Sequence, residues 1–166
     1  MRYRRSNQIM VPGVIQQKNK SVFGCLFGRK VRENMNKKLT VESIDENVII
    51  FRVTKYQPGM SVTEIYDLVR TCWKVNVEKA RKADLAFAVY KGIVLEVYRI
   101  DKWVPGHSTY NSISVSDEIE RRDRAEGRWE FVGRVAEDIR EKYVEKNVSG
   151  FFKRGNQSPF IYIYRK

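Results

Sequence analysis

The sequence predicts an α+β domain in which a small, curved, barrel-like sheet is flanked by helices. Three stretches predict it. Residues 84 to 100 form two long apolar runs joined by Lys91-Gly92, residues 61 to 73 read as a capped amphipathic helix, and residues 128 to 133 and 160 to 164 alternate in the two-residue period of strands.

The first stretch organises the rest. Asp84 to Tyr90 and Ile93 to Ile100 are rich in aromatic and β-branched residues, which favour a pleated backbone. The two-residue connection ending in Gly supplies the positive φ that a primed hairpin turn needs. Leu85, Phe87 and Val89 are large while Ala86 and Ala88 are small. One face can therefore fill a core, and the other lets a helix approach closely.

With 166 residues the chain is about one domain long, enough to bury roughly two thirds of its unfolded surface without a metal or a disulfide. Cys25 and Cys72 have neither zinc-like nor C-x-x-C spacing, which favours a reducing compartment. No run of 18 apolar residues and no signal-peptide pattern occurs, so a soluble, cytoplasmic protein without a membrane span is expected. The net charge is +12, and residues 1 to 40 hold ten Lys or Arg against the single acid Glu33. Most of the excess thus belongs to an N-terminal arm, and residues 41 to 166 form a nearly balanced folded domain. Such an arm favours polyanions through counterion release; the plain alternative is a solvated tail.

In chain order, residues 1 to 40 show no sustained period and are read as a flexible basic arm, with an apolar island from Val22 to Phe27. Asn47 to Val53 opens the body as a buried strand, and Pro58-Gly59 turns the chain. Ser61-Val62-Thr63-Glu64 is a capping box. Val62, Ile65, Leu68, Val69 and Cys72 then recur at helical spacing as a core face, with Tyr66 and Trp73 on one side. Val77 to Ala83 reads as a second short helix. Asp101-Lys102-Trp103-Val104-Pro105-Gly106 ends the hairpin, and residues 107 to 127 read as a polar excursion. Arg128 to Gly133 follows as a strand, Ala136 to Tyr143 as a short helix, Lys153 to Pro159 as a basic loop, and Phe160 to Tyr164 as a closing strand.

His107 is the only histidine, so any Cys-His or Ser-His-Asp arrangement has to use it, and no G-x-S-x-G elbow accompanies it. Walker and dinucleotide-binding fingerprints are lacking, and the acids show no metal-site spacing. Nothing in the sequence requires an enzyme, a cofactor or a metal. The more informative pattern is aromatic. Trp73, Trp103 and Trp129 fall near the ends of expected elements, where exposed rings can stack on an unpaired base or cage a cationic group. Core packing is the plain alternative for each. Arg70 lies one helical turn before Trp73 and can reach the same rim. In the basic loop, Lys153 and Arg154 stand beside Gly155, Asn156 and Gln157, a set suited to phosphate and a base edge, or simply to a surface hairpin.

A Trp after a helix, a Lys- and Ala-rich helix, a long apolar hairpin ending near Trp103, and then Arg128-Trp129-Glu130-Phe131-Val132-Gly133 with a helix behind it resembles the PUA-like superfold, and within it YTH and EVE domains. The likeness spans about Val48 to Tyr164. It implies a curved barrel with a pocket for a nucleobase, often a modified one. It also implies that Trp73 matches the cage tryptophan after the first helix, Trp103 a later cage tryptophan, and Trp129 a structural strand position. The sequence is also similar to uncharacterised prokaryotic and phage proteins. The leading expectation is a non-catalytic module that binds nucleic acid, RNA included, or a modified base, through a rim around Trp73 and Trp103 helped by Arg70, Lys153, Arg154 and Asn156. The alternative is a sensor or sequestering protein for a nucleotide or other small ligand, of use in phage-host conflict. A nuclease using acids of residues 117 to 130, and an interaction protein working through Val22 to Phe27, stand further back.

Overall fold

A computed structural model of the chain describes residues 37 to 110, 126 to 152 and 155 to 165. Arm residues 1 to 36, most of the polar excursion, Lys153 and Arg154 lie outside the described residues.

Five strands form one open mixed sheet in the order β4-β3-β2-β1-β5, flanked by short helices. In chain order these are β1 (Val48–Arg52), α1 (Val62–Arg70), α2 (Val77–Ala80), β2 (Leu85–Tyr90), β3 (Ile93–Pro105), β4 (Trp129–Val135), α3 (Arg140–Tyr143) and β5 (Phe160–Ile163). β1 runs parallel to β2, with Val48 opposite Leu85 and Arg52 opposite Val89. The other pairings are antiparallel. A parallel pair needs a crossover, which here contains α1 and α2.

The expected hairpin is present. Lys91 and Gly92 both have positive φ, 48° and 81°, as a primed two-residue turn requires, and Tyr90 faces Ile93 across it. Its alternating sizes divide the core. Leu85, Phe87 and Val89 pack with Val48, Ile50 and Ile163 beneath Ile44, Ala136, Tyr143 and Val148. Ala86 and Ala88 lie on the opposite face with Ile49, Phe51, Tyr98 and Phe131, where α1 places Val69. The absence of bulk at Ala86 and Ala88 leaves room for that helix. Ala80 and Ala83 close the same side.

β3 runs on past Ile100 to Pro105, so Asp101-Lys102-Trp103 is strand rather than the end of one. A register shift between Ile100 and Lys102 accommodates one extra residue opposite β4. Tyr98 and Trp103, five positions apart, consequently pack in the same core cluster, although strict alternation would part them.

Ser61 caps α1 as expected. Its hydroxyl accepts the Glu64 amide, while a Glu64 carboxylate oxygen accepts the Ser61 amide at 2.7 Å. Two details differ from the sequence reading. Val62 is 61% exposed because it is the first helical residue, and Cα–Cβ bonds tilt toward the helix N-terminus and carry that side chain past the end. The helix also stops at Arg70: Thr71 is extended and Cys72 has a φ of 61°, so Cys72 and Trp73 leave the helix and Trp73 does not share its face with Tyr66. α2 and α3 each occupy only one turn of the longer helices expected from the sequence. Ahead of β1, Lys38 bridges to Asn147 and Leu39 packs on the core, so the last residues assigned to the arm join the body.

Candidate nucleic-acid interface

Trp73 and Trp103 reach the same side of the sheet. The Trp73 amide donates to the Trp129 carbonyl and the Trp129 amide to the Trp73 carbonyl, each at 2.9 Å, which extends the β4 edge. Its indole N–H donates to the Val69 carbonyl at 2.7 Å, and its ring stacks on Phe51 with centroids 4.7 Å apart. Trp103 sits opposite Phe131 and meets that ring edge-on at 5.7 Å. Phe51 and Phe131 are themselves 6.2 Å apart and fully buried. The four rings thus make one row whose middle is filled by protein side chains. Trp103 is only 7% exposed, and its indole N–H has no hydrogen-bond partner among the described residues. Its ring serves the core, because the shift after Ile100 turns it inward. Trp73 is half-buried and keeps partial access to solvent.

Arg70 also turns inward. It is 3% exposed, with Nε 2.7 Å from Asp67 and Nη1 3.8 Å from Glu130. It donates further to the Thr109 hydroxyl and the Tyr110 carbonyl, and its guanidinium lies 5.3 Å from the Tyr66 ring centre. Glu130 is fully buried. It accepts the His107 amide at 3.1 Å and both the amide and the hydroxyl of Thr109 at 2.8 Å. Buried charges are stable only when paired and hydrogen-bonded, and this network meets that condition. Arg70 therefore holds Thr109 and Tyr110, just beyond β3, with its guanidinium turned into the interior.

Asn156 lies at the other edge of the sheet. Its side-chain oxygen accepts the Ser158 amide at 2.8 Å, and its carbonyl accepts from Arg52 at 3.0 Å. Arg52 in turn sits 4.7 Å above the Phe152 ring. Asn156 lines an open cavity of about 420 Å³ with Val41, Phe151, Ile161, Tyr162 and Tyr164. Lys153 and Arg154 lie outside the described residues; in the sequence they stand three and two positions before this Asn.

The aromatic surface continues along β5. Trp73 meets Phe160 edge-on at 6.3 Å, Phe160 meets Tyr162 at 5.6 Å, and Tyr162 stacks nearly parallel on Tyr164 at 5.5 Å. Tyr164 is 36% exposed and anchored by its hydroxyl, which donates to the Lys79 carbonyl at 2.7 Å. The Tyr162 hydroxyl has no partner among the described residues. Burial, with a smaller contribution from Tyr164, pushes it up to about 12. The sequence reading placed none of these tyrosines in the site. Alternation from Phe160 to Tyr164 puts three aromatic rings on one side of a strand, a legible signal; that β5 is an edge strand is set by long-range pairing and is not.

Among the described residues, no group of three or more acids, histidines or cysteines could hold a metal, and no helix is long and apolar enough to cross a membrane. Compared with protein-family models, with curated proteins and with solved structures, the chain finds no match.

Proposed function

We propose that the chain is a binding module for nucleic acid, RNA included, or for a single nucleobase, modified or not, with the sheet curved in the PUA-like manner and the protein working in the cytoplasm. The observation that supports this reading best is the aromatic row that runs from Trp73 through Phe160 and Tyr162 to the exposed Tyr164, beside an open cavity containing Asn156. A base stacks on the exposed tyrosine face, worth about 1 to 3 kcal/mol per base. Asn156 offers an amide nitrogen to a base edge while its oxygen stays engaged with Ser158. In a chain of net charge +12, the cations of the arm and of Lys153 and Arg154 supply phosphate contact without sequence preference. Trp73 closes the row at its inner end. Trp103, Arg70 and Glu130 hold the sheet and its loops in place.

Fluorescence anisotropy with single-stranded RNA and DNA oligonucleotides tests the reading. Tyr164→Ala is expected to weaken binding by about tenfold, the lower part of the range for one lost stack. Deleting residues 1 to 36 is expected to flatten the dependence of affinity on salt. Wild-type affinity in Tyr164→Ala rules out the β5 surface, and failure of the unaltered chain to bind any oligonucleotide rules out the function. A second reading is binding of a free nucleotide or similar small ligand in the open depression lined by Asn156, Tyr162 and Tyr164. Binding of mononucleotides without oligonucleotide affinity distinguishes it.

A further inference from the structure

The only histidine and one of the two cysteines, 35 positions apart in sequence, meet just beyond the end of β3, beside Trp73. Cys72 Sγ lies 2.8 Å from His107 Nε2, and both residues are half-buried, so the pair is held in place yet open to a reactant. Each adopts a left-handed backbone, with φ of 61° and 60°, a conformation unfavourable for residues with a Cβ. The surrounding structure imposes it. Trp73 pairs with Trp129 immediately after Cys72, and the buried Glu130 accepts the amides of His107 and Thr109. Gly106 leaves the space the sulfur occupies, for a Cβ there would stand 3.2 Å from Sγ. Arg128 donates to the Cys72 carbonyl at 2.9 Å, which brings a guanidinium beside the thiol.

We propose that Cys72 and His107 form a nucleophile and base that accept an acyl group from a carboxylic ester. This activity goes beyond ligand binding and uses none of the β5 surface. The thiol rests protonated, because burial raises its titration while Arg128 opposes the shift. With the ring proton on Nδ1 the thiol donates to Nε2, and the imidazole removes that proton as the sulfur attacks. In the first step, Sγ bonds to the ester carbonyl carbon and its proton passes to Nε2; the carbonyl electron pair moves onto oxygen near Arg128. Collapse of the adduct breaks the bond to the alcohol oxygen, which leaves with the proton from the imidazolium and a thioester on Cys72. Water, deprotonated by His107, then cleaves the thioester to a carboxylic acid and restores the thiol. Esters suit the pair better than amides. Among the described residues no hydrogen bond reaches the second ring nitrogen, the contact that holds the imidazole of amide hydrolases in place. Glu130 and Arg70 are positioning residues that act through the loop.

The test uses the full chain carrying Cys25→Ser, with p-nitrophenyl acetate as the ester. A burst of nitrophenol equal to the protein concentration is expected, with the acetyl group mapped to Cys72 by mass spectrometry and absent in Cys72→Ala. His107→Gly suits the left-handed backbone and is expected to slow the burst about 10²-fold, with recovery on addition of imidazole. A purely structural histidine would give no such rescue. Should that variant fail to fold by circular dichroism, His107→Asn, which tolerates the same backbone, replaces it and is expected to show the same loss. Acetylation spread over lysines with none at Cys72, or a burst unchanged by either histidine variant, overturns the proposal.

Discussion

Replacing Glu130 with Ala removes the group on which the residues just after β3, His107 and Thr109, converge. The carboxylate is fully buried and accepts three hydrogen bonds from His107 and Thr109, with the Arg70 guanidinium 3.8 Å away. Hydrogen bonds to a charged group are worth about 1.5 to 3 kcal/mol each, so the three together reach several kcal/mol. Part of that returns because the variant no longer desolvates a carboxylate. Removing one partner of a buried pair nonetheless costs about 3 to 5 kcal/mol, since the remaining charge and donors are stranded. Asp67 still neutralises Arg70 at 2.7 Å, which places the expected loss near the lower end, about 3 kcal/mol. Urea denaturation followed by tryptophan fluorescence measures it. For a slope of about 2 kcal/mol per molar, the midpoint falls by about 1.5 M. Thr109→Ala, which removes the hydroxyl that donates to this carboxylate and accepts from Arg70 but leaves the carboxylate and its two amide donors, is expected to lose about 1.5 kcal/mol, the low end of that range because Thr109 is exposed. If Glu130→Ala loses no more than Thr109→Ala, the carboxylate does not organise the loop and the reasoning fails.

Two further outcomes follow from packing and titration. Gly133→Ala places a Cβ 2.0 Å from the Arg99 carbonyl oxygen and 3.1 Å from its carbon, both backbone atoms of β3 that cannot swing aside. The β3–β4 ladder must open there, and a loss of about 3 kcal/mol or more in thermal or urea unfolding is expected, against none if the strands can part freely. The second concerns alkaline pH. Burial raises the Tyr162 phenol to about 12, so the fold favours its neutral form. That contribution is complete below the unfolded value of about 10 and is lost as pH rises from about 10 toward 12. Tyr162→Phe keeps the ring and removes the titration. It is expected to lessen the alkaline fall in stability and to remove one tyrosine's share of the tyrosinate absorbance that rises near pH 12, while the more deeply buried Tyr98 still resists ionisation; an unchanged alkaline limb contradicts the assignment.

Local chemistry was legible in the sequence, and long-range geometry was not. The Lys91-Gly92 turn, the Ser61 capping box and the two unlike faces of β2 each depend on a few neighbouring residues, and each is found as read. The orientation of Trp103 depends on one extra residue between Ile100 and Lys102, which no periodicity marks. Asp67, Arg70 and Glu130 look like solvated charges one at a time; only the fold brings them together in the interior. The tyrosines of β5 followed a readable alternation, but their exposure depends on β5 pairing with β1 alone. Cys72 and His107 were each visible, and their meeting required both the end of α1 and the anchoring by Glu130.

The arrangement of β1 has a consequence for synthesis on the ribosome. Val48 to Phe51 are wholly buried, and the strand needs β2 on one side and β5 on the other. β2 follows within a short stretch of translation, whereas β5 emerges only after the other four strands of the sheet. For most of synthesis, then, a bare apolar edge waits beside a nascent sheet, the kind of surface that pairs with neighbouring chains on a polysome. Successful folding of this protein depends on how long that edge stands open, and the last strand to be made is the one that closes it.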